Sequence, residues 1–451
     1  MRPSSVVRVA LHGPSRRQWI RPFSLPLVAL ASAFGFASLH AADDSSSWLR
    51  NWLGQENMTG GWDGARARLH DEGFDFWGNY VINLAGNISG GFRQGVTYTD
   101  NQAVGVDIDF GKLARWQGTK LHISFDNRDG QSLSNGYIGN IFQVQQIFGG
   151  GELARLMELT IEQSLWDNLV NFRAGRAMGG NDFATSPLYG NFMNQAMCGN
   201  MGSLGKNISL SFYPVASWGG RVQIRPASWF MIQSGIFEAN PTLNMKHGFD
   251  WSTAGATGVI YMTELWFMAG TEPGGMLGHY KFGFYYDSST ATDFFRNNAG
   301  ASAVATGTPF KTYPGKTGAY FLADQIVYRV RDAGNKGLTL LGGVSYANQN
   351  TNFMPLYVFG GFLYTGLIPT RDNDTTGFSV SYGRVSSDLA RTQRLQGKPP
   401  QSSETIMEWN YAVHVAKWFT FQPNVQFVVR PGGTGAIPNA VVLGLQTTMN
   451  F

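Results

Sequence analysis

The chain closes on "NAVVLGLQTTMNF", residues 439–451. Read in steps of two, Val441, Leu443, Leu445, Met449 and Phe451 fall on one side, with Thr447 the polar interruption. Gly444, Gln446, Thr448 and Asn450 fall on the other. Side chains of a β-strand point alternately to opposite faces, so this stretch is a strand with one apolar and one wet surface. Chain ends ordinarily fray, and a two-faced strand that runs to its last residue must be tied down. A closed barrel does this by pairing the last strand with the first, which leaves no edge exposed to lipid.

The alternation recurs upstream. In "TKLHISFDN" (119–127), Leu121, Ile123 and Phe125 oppose Lys120, His122, Ser124 and Asp126. In "EWNYAVHV" (408–415), Trp409, Tyr411, Val413 and Val415 oppose Glu408, Asn410 and His414. In "FTFQPNVQFVVR" (419–430), Phe419, Phe421, Val425, Phe427 and Val429 oppose Gln422, Asn424, Gln426 and Arg430. A soluble sandwich shares this period, so the connections decide. They alternate between short ones, such as 165–168, 226–228 and 416–418, and long ones, such as 91–101, 128–151, 177–216 and 288–317. Sixteen strand segments fit between residues 74 and 451, and an even count puts both barrel ends on the short-turn side. The expected fold is all-β: a 16-stranded antiparallel transmembrane β-barrel over 74–451. Asp324 falls on the lipid face in this reading, which predicts a bulge or a change of phase in its strand.

Composition agrees with a barrel. The 451 residues include 57 glycines, 13 tryptophans, 17 tyrosines and 32 phenylalanines, but only 14% charged residues, against about 25% in ordinary globular chains. The mean hydropathy, −0.15, is what alternating lipid-facing and water-facing residues average to. Past the leader no apolar run reaches the ~18 residues a membrane helix needs. Cys198 is the single cysteine, so no internal disulfide forms.

Residues 1–42 read as a signal peptide. Arg2, Arg8, Arg16, Arg17 and Arg21, with no acidic residue, precede the apolar run "FSLPLVALASAFGFASL", and cleavage falls near Ala41 or Ala42. "SRRQWI" bears a faint likeness to a twin-arginine signal, but a barrel must reach its membrane unfolded. Removing those five arginines from 34 basic residues leaves 29 against 30 acidic ones. The formal positive charge therefore belongs to the leader, and a nucleic-acid partner loses its motive. Residues 43–73 are expected as a short periplasmic helical segment. Trp48, Leu49, Trp52 and Leu53 have helical spacing, and a second helix from Asp63 ends at Gly73. The segment is either an appendage on the barrel rim or a partial plug at the inner mouth.

"MTGGWDGARARLHDEGFDFWGNY", residues 58–80, resembles the opening of the carbohydrate-selective porins, the OprB family. Thr59, Gly60, Trp62, Gly64, Arg66, Leu69, Gly73 and Phe76 fit the family's pattern, whereas Gly61 and Asp63 depart from it as though exchanged. Further similar segments are "GNIFQVQQIFGGGELARLMELTIEQSL", "FRAGRAMGGNDFA", "AYFLADQIVYR" and "FQPNVQFVVRPGG", where Arg430 replaces a usual Asn. The resemblance implies a sixteen-stranded outer-membrane barrel that passes monosaccharides and related small sugars through a charged constriction. It also implies a terminal Phe451 read by the outer-membrane assembly machinery.

A neutral sugar crosses such a pore by exchanging water for wall hydrogen bonds, which suits arginine forks and carboxylates. Inward-phase candidates are Lys120, His122, Asp126, Glu158, Glu162, Arg173, Arg221, Arg329, Glu408 and His414. Arg173 and Arg176 gain weight because they lead into the longest loop, 177–216, which contains Asp182 and is expected to fold inward; Arg128 starts another long loop. No cofactor is required, and neither an HExxH nor a GxSxG motif supports an enzyme. A secreted lectin and a barrel for organic acids are the competing readings. Monomer and homotrimer both remain open.

Overall fold

The computed structural model describes residues 45–330 and 336–451; the expected leader, 1–42, lies outside the described residues. Sixteen antiparallel strands close into one barrel. They are β1 (Phe74–Ser89), β2 (Gly95–Asp109), β3 (Thr119–Gly130), β4 (Ala154–Leu165), β5 (Val170–Ala177), β6 (Ser217–Ala227), β7 (Phe230–Ala239) and β8 (Gly258–Ala269). There follow β9 (Gly278–Asp287), β10 (Lys316–Arg329), β11 (Gly337–Ala347), β12 (Leu356–Thr365), β13 (Thr375–Arg384), β14 (Ser403–Ala416), β15 (Phe419–Val429) and β16 (Ala440–Asn450). Each pairs with its sequence neighbours, and β16 pairs back onto β1 in the register Asn79↔Asn450 through Ser89↔Val441.

The last residues are held at this seam. Phe451 N–H donates to Gly78 O at 2.9 Å, and a Cβ at Gly78 would stand 3.1 Å from the Phe451 ring, so glycine makes the seat. Residues 50–73 fold over the same place. Helix α1 (Ser45–Leu53) and helix α2 (Ala65–Glu72) are both short, and Gly73 ends α2 in the left-handed region, φ 99°. From α2, Arg66 Nη2 donates to the Phe451 terminal oxygen at 2.9 Å and to Phe76 O at 3.2 Å. Met58 N–H donates to Asn450 O at 2.9 Å, and Trp52 packs on Trp418 with centroids 4.4 Å apart. These contacts lie on the strand ends that close the barrel.

Two features depart from the sequence expectations. Residues 95–101, expected in a long loop, are strand, and the β1–β2 connection is only 90–94. Thr97, Thr99 and Asn101 face inward and are buried while Val96 and Tyr98 face out; lumen-facing polar residues thinned the apolar signal. Asp324 faces the lumen, not lipid. Its inward neighbours Tyr320 and Leu322 are buried, because they pack on chain that fills the barrel. The bulge in β10 lies beyond it, between Ile326 and Tyr328, and leaves Arg329 exposed.

Loss of one charge-assisted hydrogen bond costs roughly 1.5–3 kcal/mol. Arg66→Ala is therefore expected to lower the temperature at which the folded band converts on a heat-modifiability gel. An unchanged conversion temperature would show that the Arg66 clasp on the Phe451 backbone oxygen carries no stability.

Candidate functional site

The interior is not an open tube. Residues 178–216 dip into the barrel and bury Phe183, Tyr189, Phe192 and Met193 against the inner faces of β7–β16. Phe183 meets Phe237 edge-on at 5.8 Å, and Tyr189 meets Phe359 at 5.4 Å. Residues 131–153 follow, with Phe142 on Tyr357 at 5.7 Å. Irregular chain inside a barrel carries backbone N–H groups with no strand partner, and each must find an acceptor. Wall carboxylates supply them. Glu408 accepts from Met193 N–H and Asn194 N–H, both at 2.8 Å. Glu404 accepts from Ile141 N–H at 2.8 Å, Phe142 N–H at 3.2 Å and Gly432 N–H at 2.8 Å. Glu264 accepts from Ala184 N–H and Tyr320 OH, each at 2.6 Å, and Asp324 accepts from Ser186 Oγ at 3.3 Å.

The wall of β3–β6 carries charge instead. Glu162, Arg173 and Arg221 stand side by side in register on β4, β5 and β6. Two adjacent guanidinium groups repel, and Asp182 of the inserted loop lies between them. Arg173 Nη2 donates to Asp182 Oδ2 at 3.1 Å and Arg221 Nε to Asp182 Oδ1 at 3.0 Å. Glu158 lies 3.6 Å from Arg173, and Glu162 lies 3.8 Å from Arg221 and 3.6 Å from His122. His122 also meets Asp107 at 2.6 Å.

A second cluster sits toward β1–β3. Arg128 Nε donates to Asn101 Oδ1 at 2.6 Å and Nη1 to Gly149 O at 2.6 Å, with Asp126 at 3.6 Å. Tyr213 OH donates to Asp126 Oδ1 at 3.1 Å, Asn101 Nδ2 donates to Tyr213 OH at 2.9 Å, and the Arg128 guanidinium lies 5.0 Å from the Tyr213 ring centre. Arg155 holds the loop around it through Gly150 O and Asn244 O. A cavity of about 500 Å³ lies on the loop side of this cluster, lined by Arg128, Asn181, Asn200 and Phe212 among others. A second, of about 340 Å³, is lined by Trp77, Asn79, Val81 and Asn101. Gln146 and Tyr213 line both.

With this geometry the comparisons agree. Residues 93–451 match the family described as "Carbohydrate-selective porin, OprB family". The chain belongs to that family. Porin B of Pseudomonas aeruginosa is 31% identical over 441 residues, covering 93% of this chain and 95% of that protein. The putative porin QuiX of Acinetobacter baylyi is 27% identical over 458 residues, covering 95% and 99%. The high-pH structure of Pseudomonas putida OprB superposes with a TM-score of 0.84 at 31% identity, covering 88% of this chain and 99% of that one. This protein is thus a sugar porin of the Gram-negative outer membrane.

In this porin the expected site residues divide. Arg173, Arg221, Asp182 and Glu158 form one network, and Asp126 with Arg128 forms the other. Lys120 joins neither; it is exposed, in register with Glu162, and its ammonium has no hydrogen bond or ion pair to a described residue. Arg176 also stands apart. Three residues from Arg173 on a strand, it projects from the opposite face. There it is paired in register with Trp218, donates to Ala216 O at 3.0 Å and lies 3.9 Å from Glu238. Tyr213, Gln146 and Arg155 were not singled out from sequence. Tyr213 and Gln146 lie in loops without periodicity, and only the folded chain brings all three beside Arg128.

Each lost hydrogen bond to a charged acceptor costs roughly 1.5–3 kcal/mol. Glu408→Ala is expected to free Met193 and Asn194 and to add larger, flickering conductance levels in a planar bilayer. A single level identical to the parent's would show that the carboxylate does not hold the loop.

Proposed function

We propose that sugars pass from the loop-side cavity to the lower one across the junction formed by Gln146 and Tyr213, and that Asp126, Arg128 and Arg155 complete this constriction. The observation that carries the reading is that two otherwise separate cavities share those two side chains. Phenol, amide and guanidinium groups there exchange water for sugar hydroxyls, and an aromatic face suits a sugar's C–H surface. Binding must remain weak for the solute to leave. Transport is passive diffusion of monosaccharides and related small carbohydrates.

On this reading Arg173, Arg221, Asp182 and Glu158 hold the inserted loop and shape the field of the lumen, because they largely satisfy one another. Residues 1–42 act as a secretory leader, and Phe451 serves as the signal read during outer-membrane assembly before the clasp around Arg66 covers it.

Tyr213→Ala is expected to raise single-channel conductance and to raise the glucose concentration giving half-block by about tenfold, the equivalent of one lost polar contact. Arg176→Ala is expected to change neither. A Tyr213→Ala channel that conducts and blocks as the parent does would remove the constriction from this place.

A further inference from the structure

The larger cavity carries an unbalanced charge. Its lining includes the amides of Gln146, Asn181, Gln195 and Asn200, and no aspartate or glutamate among the described residues lines it. The charged residues that do are Arg128 and Lys206. Arg128 is compensated by the buried Asp126. Lys206 is not. It sits on the helical turn Leu204–Asn207 of the inserted loop, half-buried, with its ammonium 5.7 Å from the centre of the Phe142 ring. Its ammonium forms no hydrogen bond or ion pair with a described residue. The carboxylate that acts on it, Glu404, lies beyond ion-pair distance and gives its oxygens to the N–H groups of Ile141, Phe142 and Gly432.

A lysine held out of bulk water without a direct ion-pair partner is costly, and an anion bound beside it offsets that cost. The inserted loop keeps it there, facing a space large enough for a hexose-sized solute, in a wall otherwise made of neutral hydrogen-bonding groups. We infer that this cavity is an anion-accepting subsite built around Lys206, and that polyhydroxy monocarboxylates of hexose size, the hexonates, are substrates of the channel beside neutral sugars. The carboxylate meets the Lys206 ammonium, while the hydroxyl chain is read by the same amides that suit a neutral sugar. The inference rests on the reading of this cavity as the entrance to the sugar path.

The test is uptake of labelled gluconate and labelled glucose into proteoliposomes containing the full mature chain. The parent is expected to take up both. Lys206→Gln is expected to lower gluconate uptake by about five- to tenfold, as loss of one favourable charge in a confined site implies, with glucose uptake within about twofold. Lys206→Arg is expected to retain gluconate uptake. If Lys206→Gln fails to assemble, Lys206→Met, which keeps the aliphatic stem near Phe142, carries the same comparison. A parent that passes glucose but excludes gluconate overturns the inference and leaves the sugar path standing. So does a variant in which gluconate and glucose uptake change together or not at all. A parent that passes neither solute overturns the sugar path as well.

Discussion

Backbone N–H and C=O groups in hydrocarbon have no water to bond, so every strand in the membrane needs a neighbour on both edges. All else in this porin follows from meeting that demand with a ring. β16 must find β1, and the residues at their meeting point are fitted to it: Gly78 leaves room for the Phe451 ring, and Arg66 donates to the Phe451 backbone oxygen. Closure also commits the two faces of each strand. One lies against lipid, and the other must supply whatever the lumen contains.

The lumen contains a core. The inserted loop buries aromatic side chains on the inner faces of β7–β16, each worth about 2 kcal/mol when fully removed from water. That gain is available only if the loop's stray N–H groups are also satisfied. Carboxylates suit this role because they are acceptor-only and carry two oxygens. Glu264, Glu404 and Glu408 sit on regular strands, where their positions are fixed, and their partners sit on irregular chain, which gains order from them. The polar and charged wall of β1–β6 is bonded to the inserted loops as well, with Thr97 on Gln145, Arg128 on Gly149 and Arg173 on Asp182.

This division explains which parts could be read from the sequence. The outer face of every strand obeys one solvent, lipid, so Leu443, Trp409 and Phe427 announce their strands plainly and all three are exposed on the barrel surface. The inner face obeys two. Where it meets the inserted loop it is apolar, so Tyr320 and Leu322 imitate a lipid-facing pair and Asp324 then reads out of phase. Where it meets polar groups of the inserted loops it is polar, with Thr97 bonded to Gln145 and Asn101 to Tyr213, so Thr97, Thr99 and Asn101 imitate a loop. Arg173, Arg221 and Asp126 were legible because strand parity alone places them inward. The same parity places Arg176 on the outer face, and its nearness to a long loop was the weaker signal. Tyr213 and Gln146 have no periodicity, and they meet beside Arg128 only after the loops have folded inward.

Charge in the lumen thus has two uses that must be separated. A guanidinium bonded to a carboxylate, as Arg173 and Arg221 are to Asp182, has already spent much of its donor capacity and offers a passing sugar chiefly a field. Such pairs fix geometry. On the proposed path a solute is handled by groups that line a cavity: the Gln146 amide, the Arg128 guanidinium and the Lys206 ammonium. Because each of these can return to water when the solute moves on, the bond is replaced and not lost, and the channel holds its cargo only briefly. On the proposed path, selectivity rests on the groups that line the two cavities at the edges of the inserted loops and not on the best-paired stretch of wall.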